Sequence, residues 1–168
     1  SHENLKATDW DETAAICDSV MGILSDAKIH VTKKDKCEIS CHYGIENFQN
    51  YGAFIIDKVN REYCKKLIIM LPGQNHPEHY HIRKEETFEL VHGDCSISVK
   101  GKTIDLNLGE PFLIVRNVLH SFKTKSGCII EEVSTTHHRG DSIYTDPSIL
   151  RKEVKDRKVK CNLYKENS

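Results

Sequence analysis

Apolar residues follow a helical spacing near the N-terminus and a strand spacing through the rest of the chain. In residues 11–25, Ala14, Ile16, Val20, Ile23 and Leu24 recur at the spacing of one amphipathic helix, with Asp9 or Asp11 as its cap. Short β-rich runs, broken by glycine and charge, follow. They predict strands at 28–31, 36–40, 52–58, 64–71, 79–82, 86–92, 95–100, 102–108, 112–115, 119–124 and 128–134. Many short strands at about ten-residue spacing are typical of a closed or sandwiched antiparallel β fold.

The C-terminal part of the chain has a different pattern. The run DPSILRKE predicts a short helix capped by Asp146, with Pro147 at its first position. The basic run RKEVKDRKVK at 151–160 contains interleaved acids, which predicts a solvated face. We therefore divide the chain into an N-terminal helix and packing arm, a β barrel and a C-terminal extension, at residues 1–36, 37–136 and 137–168.

Composition excludes several classes of function. The formal net charge is -1, whereas general nucleic-acid binding needs a strongly positive surface. The longest apolar run, LIIML at 67–71, is far below the roughly 20 residues that span a bilayer. The polar N-terminus is unlike a secretory signal, and the seven cysteines include no CxxC pair. We expect a cytoplasmic protein with reduced thiols, a small-molecule ligand and neither a nucleic-acid nor a membrane partner.

The run HPEHYHIRKEETFELVHGD at 76–94 carries the candidate chemistry. His79 and His81 stand two residues apart on a predicted strand, so their imidazoles share one face at about 6.5 Å between Cα atoms. Two convergent imidazoles chelate a divalent metal. Glu86 can face back toward them from the next strand, and His120 in RNVLHSF offers a third imidazole.

The other histidines are expected outside this ligand set. We expect His76 and His92 to lie beside the site or on the surface, and His137 and His138 to lie on an exit loop that could rim the pocket. The surface is expected for His2, His30 and His42. Surface positions are also expected for Arg116 and Asn117, and strand alternation places Glu85 and Glu89 on the face opposite Glu86.

These residues resemble the two motifs of the cupin family. The first motif, G-x5-H-x-H-x3,4-E-x6-G, is matched at every position from Gly73 to Gly93. The second motif is matched at Gly109 and His120, while Val115, Asn117 and Thr124 depart from it. The resemblance covers roughly residues 50–135 and implies an all-β jelly roll (a double-stranded β-helix). It also implies a metal site made by His79, His81, Glu86 and His120. Manganese, iron, zinc, nickel and cobalt all suit these ligands, which do not distinguish among them.

Longer segments resemble the cupin domain at the C-terminus of long sialic acid synthases. The similarity extends over about residues 38–150 and includes EEVSTTHHRGDSIYTDPSI. It implies a role in nonulosonic acid biosynthesis, and the chain could be one domain of a larger synthase. The synthase's own barrel needs roughly 250 residues, so these 168 residues do not contain it.

A second resemblance is to D-lyxose isomerase-type cupins, with the signature H-x-H-x2-K-x-E. His79, His81, Lys84 and Glu86 match it in register, although a paired glycine later in the family pattern is reduced to Gly93. The implied activity is aldose–ketose interconversion through an enediol. Lys84 would orient or protonate a substrate oxygen, unless it is a solvated lysine of a charged turn.

The base of such a reaction is expected in the strand IIEEVS. Strand alternation turns one of Glu131 and Glu132 toward the barrel interior, and Glu132 is our candidate. The alternative is a structural pair of acids without a catalytic role.

Three classes of function stay open from the sequence: a sugar isomerase or epimerase, a non-catalytic module that binds a sugar or sugar acid, and an iron-dependent dioxygenase. We also expect a homodimer that pairs through strands 28–31 and 36–40.

Overall fold

The fold is a sandwich of two antiparallel sheets with one helix on its outside. The structure is a computed structural model and describes residues 7–164. In chain order, its helices and strands are α1 (Ala7–Asp26), β1 (Lys36–Ser40), β2 (Ala53–Asn60), β3 (Tyr63–Met70), β4 (Asn75–His81), β5 (Glu86–Gly93), β6 (Ser96–Val99), β7 (Lys102–Asp105), β8 (Phe112–Ile114), β9 (His120–Lys123), β10 (Cys128–Thr135), β11 (Ser142–Tyr144), α2 (Pro147–Leu150) and β12 (Lys158–Cys161). Short 3-10 helices lie at Ile45–Asn47 and Val154–Asp156.

The two sheets have seven and five strands. The larger has the order β12-β1-β2-β3-β10-β5-β8 and the smaller β11-β4-β9-β6-β7. Neighbouring strands are antiparallel throughout. This arrangement confirms the all-β jelly roll expected from the sequence. Among residues 7–164, no helix combines the length and the apolar character needed to cross a membrane.

Two apolar clusters hold the fold together, one on each face of the larger sheet. The outer core joins Ile16, Val20 and Leu24 of α1 to strand residues such as Ile39 and Ile69. The inner core lies between the sheets and includes Met70, Phe88, Leu90, Ile97 and Phe122. The inner core fills only part of the space between the sheets. The rest of this space is lined by polar side chains, which include His79, His81 and Glu86.

One predicted strand is wrong and two strands were missed. Residues 28–31 form no strand: Lys28 takes a φ of 56° after the end of α1, and Ile29 and Val31 pack on the outer core instead. Strand β11 pairs with β4, and β12 pairs with β1 in the segment expected to be a solvated basic face. There Arg157 is buried and Val159 packs against the outer core. The short helix α2 begins as predicted, with the Asp146 side chain accepting from Ser148 N–H.

Strand β1 lies inside its sheet. It pairs with β2 on one side and β12 on the other, so an exchange of residues 36–40 between two copies would have to displace β12. The homodimer stays a prediction. Of the two segments expected to form its interface, residues 28–31 form no strand and β1 does not lie at the edge of its sheet.

Candidate metal centre

The four expected ligands meet between the two sheets. His79 and His81 lie on β4, His120 lies opposite His79 on β9, and Glu86 begins β5. All four are buried. The three histidines offer ligand nitrogens that lie within 4.8 Å of one another.

Backbone carbonyls fix the orientation of each imidazole. The Nδ1–H groups of His79, His81 and His120 donate to the carbonyl oxygens of Pro77 (2.9 Å), Asp141 (3.0 Å) and Val118 (2.9 Å). A carbonyl oxygen only accepts, so each Nδ1 carries the proton and each Nε2 presents a lone pair. Three Nε2 atoms with this orientation are ready metal ligands.

Glu86 completes the ligand set. Its Oε1 lies 3.2 Å from His81 Nε2, and its Oε2 lies 3.3 Å from His120 Nε2. Despite that proximity, Glu86 Oε2 and His120 Nε2 are buried without a properly oriented hydrogen bond to any of residues 7–164. Two acceptor atoms that converge without bonding to each other are the arrangement expected around a shared cation, so these residues fit a divalent metal.

Lys84 bridges the ligand set and a second carboxylate. It is 3% exposed, so it is not a solvated lysine of the β4–β5 turn. Its Nζ lies 2.9 Å from Glu86 Oε1 and 3.3 Å from Glu132 Oε2. Burial opposes the charge of Lys84, but the Glu132 and Glu86 carboxylates outweigh burial and raise its pKa. In turn, burial alone would raise the pKa of Glu86, and the Lys84 ammonium and facing imidazoles hold it well below its usual range.

Glu132 is the inward member of its acidic pair. It is 4% exposed and lies in register with Lys66 on β3 and Phe88 on β5. Glu131 is only half-buried and makes a loose ion pair with Lys65 at 3.7 Å. Burial raises the pKa of Glu132, and Glu86 adds to that effect while Lys84 opposes it. The structure thus shows that Glu132 is the member of the pair that faces the barrel interior.

The metal cluster opens into a pocket lined by both polar and apolar side chains. Its cavity volume is about 80 Å³. His137 lies on the rim, as the sequence allowed, with its Nδ1 3.4 Å from Lys84 Nζ. Burial lowers the pKa of His137 to about 2, so it stands neutral beside this ammonium.

A wall of aromatic and imidazole rings extends from His79. His76 packs on His79 with 4.8 Å between ring centroids, and His42 packs on His76 at 4.7 Å. The surface position expected for His42 is wrong: it is 1% exposed and its Nε2 lies 2.9 Å from the Tyr144 hydroxyl. Burial lowers the pKa of His76 to about 4 and that of His42 well below its usual range, so both rings are neutral at physiological pH.

Comparison with known proteins places this chain in a family. No family model matches it. It is 30% identical to a D-lyxose/D-mannose isomerase from Thermosediminibacter oceani, over 84% of this chain and 95% of the relative. It is also 30% identical to a D-lyxose ketol-isomerase from a Thermofilum species, over 77% of this chain and 88% of the relative. The chain belongs to the D-lyxose isomerase family.

A solved structure of another protein has the same fold as this chain. The L-ribose isomerase of Cellulomonas parahominis, solved with L-ribose, superposes with a TM-score of 0.69 over 90% of this chain and 97% of that one. At 16% identity this likeness concerns the fold alone. The chain therefore has a cupin fold and belongs to a family of sugar isomerases, and none of these three proteins supports the expected link to sialic acid synthases.

Asp141 is a positioning residue of the family site that the sequence pattern did not reveal. Its carboxylate accepts backbone N–H bonds from Ile82, Arg83 and Lys84 at 3.0–3.2 Å, and its carbonyl orients His81. It thereby fixes the turn that carries Lys84. Its position in HRGDS, on the loop after β10, was the available signal, but sequence spacing does not show which turn that loop will contact.

The side chains of the remaining candidates do not line the pocket, although the Asn117 backbone N–H donates to the His81 carbonyl at 2.7 Å. Arg116 and Asn117 are exposed, as expected, and the Arg116 guanidinium contacts Arg83 O and Glu85. Glu85 and Glu89 are half-buried on the face opposite Glu86.

Proposed function

We propose that this protein is a metal-dependent aldose–ketose isomerase that interconverts D-lyxose and D-xylulose, and that D-mannose reacts by the same route. One observation carries the proposal. A carboxylate outside the ligand set, Glu132, lies in the same pocket as the three imidazoles and is joined to Glu86 through Lys84. The names of the two relatives support the choice of sugar.

His79, His81, His120 and Glu86 would hold the divalent metal. When bound, such a cation would polarise the carbonyl and hydroxyl oxygens of an open-chain sugar and stabilise negative charge on them. The protein contributes ligand nitrogens that are oriented in advance by backbone carbonyls, which limits the cost of organising the site.

Glu132 would act as the base. In the direction from aldose to ketose, its carboxylate takes the proton from C2, the electron pair of the C–H bond forms the C1–C2 double bond of an enediol, and the carbonyl oxygen takes a proton from the Lys84 ammonium. Glu132 then gives its proton to C1, and the C2 hydroxyl returns its proton to Lys84 as the C2 carbonyl forms. A base of this kind contributes about 10²–10⁴-fold to the rate.

Lys84 would support this proton transfer. Its ammonium lies within 3.3 Å of both Glu86 and Glu132, so it reduces the repulsion between two buried carboxylates. It would also donate a hydrogen bond to the substrate oxygen where charge develops. The buried neutral rings of His76 and His42 would form an uncharged wall for the carbon chain.

The test is D-lyxose turnover by Glu132→Gln, with D-xylulose measured in a coupled reductase assay. Glu132→Gln should lower kcat by about 10²–10⁴-fold and retain the metal, because the carboxamide has a similar shape but does not accept the proton. The matched control is Glu131→Gln, on the adjacent outward position, which should keep kcat within about twofold.

Equal activity of Glu132→Gln and wild type would remove Glu132 as the base. A metal-loaded wild-type protein that converts neither D-lyxose nor D-mannose would instead favour the non-catalytic sugar-binding module.

A further inference from the structure

The pocket contains a buried guanidinium to which the proposed reaction assigns no role. Arg157 follows the 3-10 helix Val154–Asp156, and its carbonyl accepts the backbone N–H of Cys41 at 2.8 Å, which fixes the segment beside β1. Its side chain lines the same pocket as the metal cluster and the residue is 8% exposed. The position of Arg157 is therefore set by the fold and not by a flexible tail.

The guanidinium lacks the partners that a buried charge requires. Its Nη1 is buried without a hydrogen-bond partner among residues 7–164, and no carboxylate of that part of the chain forms an ion pair with it. Its Cζ lies 5.1 Å from the centroid of the Tyr144 ring, which compensates part of the charge but accepts no in-plane N–H bond. Leaving a buried cation donor unsatisfied is costly, so an external acceptor would bind here favourably.

Neighbouring acids are already engaged by lysines. Among the carboxylates that line the pocket, Glu38 pairs with Lys158 at 2.8 Å, and Glu86 and Glu132 both pair with Lys84. Of the other cations in the lining, Lys66 pairs with Asp57 at 3.5 Å and Arg139 is exposed. Arg157 is therefore a buried cation of the lining that has no acidic partner among residues 7–164.

The guanidinium and the metal cluster both neighbour one aromatic ring. The Tyr144 ring centroid lies 5.1 Å from Arg157 Cζ and 5.2 Å from the His79 ring centroid. The guanidinium is therefore close enough to the imidazole cluster for one ligand to contact both.

We propose that Arg157 binds an anionic group, a carboxylate or a phosphate, at the end of the aldose distant from its reacting carbonyl. This inference rests on the proposed isomerase function and names its substrate class: an acidic sugar is preferred over the neutral sugar of the same configuration. The planar guanidinium matches the paired oxygens of either anion, and the Tyr144 face fixes its plane.

The experiment compares three ligands that share the D-mannose configuration at C2 and C3: D-mannose, D-mannuronate and D-mannose 6-phosphate. Binding to the full chain is measured by isothermal titration calorimetry, in wild type and in Glu132→Gln, and kcat/KM is measured in parallel. Wild type should bind at least one acidic sugar about tenfold or more tightly than D-mannose, because one charge-assisted pair contributes at least that much. The two acidic probes distinguish a carboxylate from a phosphate.

Variants then test whether Arg157 causes the preference. In Arg157→Gln, the dissociation constant of the preferred acidic sugar should come close to that of D-mannose, so that their ratio is near one. Arg157→Lys should restore part of the preference for the acidic sugar. Arg151→Gln removes an exposed arginine six residues earlier and should leave the ratio unchanged. If wild type binds both acidic sugars no more tightly than D-mannose, the proposal is overturned whether or not the variants fold. It is also overturned if Arg157→Gln leaves the preference for the acidic sugar unchanged.

The two proposals fail separately. Turnover of D-lyxose without any preference for an acidic sugar would overturn the role of Arg157 alone. Tight, Arg157-dependent binding of an acidic sugar without turnover of any sugar would overturn the isomerase proposal alone.

Discussion

Removal of the Asp141 carboxylate should destabilise the protein and weaken its metal site together. Asp141 is 5% exposed, and its carboxylate accepts from three consecutive backbone N–H groups. Two of these donors belong to the exposed residues Ile82 and Arg83, and the third belongs to the buried residue Lys84. Each exposed donor can bond to water after the change, at a net cost of about 0.5–1.5 kcal/mol, whereas the buried donor costs about 1–3 kcal/mol. Asp141→Ala should therefore lower the free energy of unfolding by about 2–6 kcal/mol, and Asp141→Asn by about half as much.

The assay is urea denaturation followed by far-ultraviolet circular dichroism, together with a metal titration. Metal affinity should fall by about 10–100-fold in Asp141→Ala, because the carboxylate anchors the backbone segment whose carbonyl orients His81. The matched control is Asp94→Ala, which removes a carboxylate that caps the exposed turn at Lys125 and Ser126 in the same manner. This control should lose about 1–3 kcal/mol and no metal affinity. A cost under about 0.5 kcal/mol for Asp141→Ala, or equal losses in both variants, would refute this account of the turn.

Two further predictions concern stability away from the site. Gly93 and Gly101 have φ values of 79° and 78°, but a Cβ at Gly93 would overlap the carbonyl oxygen of Gly127 while a Cβ at Gly101 meets nothing within 4 Å. Thermal denaturation should show a loss of about 3–5 kcal/mol for Gly93→Ala against about 1–2 kcal/mol for Gly101→Ala, and equal losses would contradict the overlap. The pKa of Asp35 is lowered because Lys58, at 2.7 Å, and the Thr32 N–H outweigh its burial. A lowered folded pKa stabilises the protein above the unfolded value near 3.9 and the effect is lost as the pH falls through the folded value. Urea titrations should therefore show a cost below about 1 kcal/mol for Asp35→Asn at neutral pH that shrinks as the pH falls below about 3.9; a cost that grows on acidification would show the sign to be wrong.

The ligand set could be predicted because its information is local. His79, His81 and Glu86 belong to one strand–turn–strand unit, where alternation and spacing decide which side chains share a face. His120 required a long-range assignment, and only the resemblance to a known motif supplied it. Alternation also separated Glu132 from Glu131, although it did not say which of the two faced inward.

The rest of the pocket comes from segments whose positions depend on tertiary packing. His42, Asp141 and Arg157 lie far from the motif in the chain. They reach the site through tertiary packing, in which β11 pairs with β4 of the smaller sheet and β12 pairs with β1 of the larger sheet. Strand β12 was missed because its charged residues alternate with few apolar ones, and its pairing with β1 overrides that weak pattern. The run at 28–31 has the residues of a strand, but the end of α1 leaves it packed on the outer core with no strand beside it.

The central claim is that three imidazoles and one carboxylate bind a single divalent cation on which activity depends. It is tested most directly by calorimetric titration of the metal-stripped protein with Mn²⁺. We predict one site per chain in wild type, a loss of affinity of at least about 100-fold in His81→Ala, and no change in His138→Ala, where the altered imidazole lies outside the pocket lining. Wild-type protein that binds no metal, or His81→Ala protein that binds it as tightly as wild type, would contradict the account.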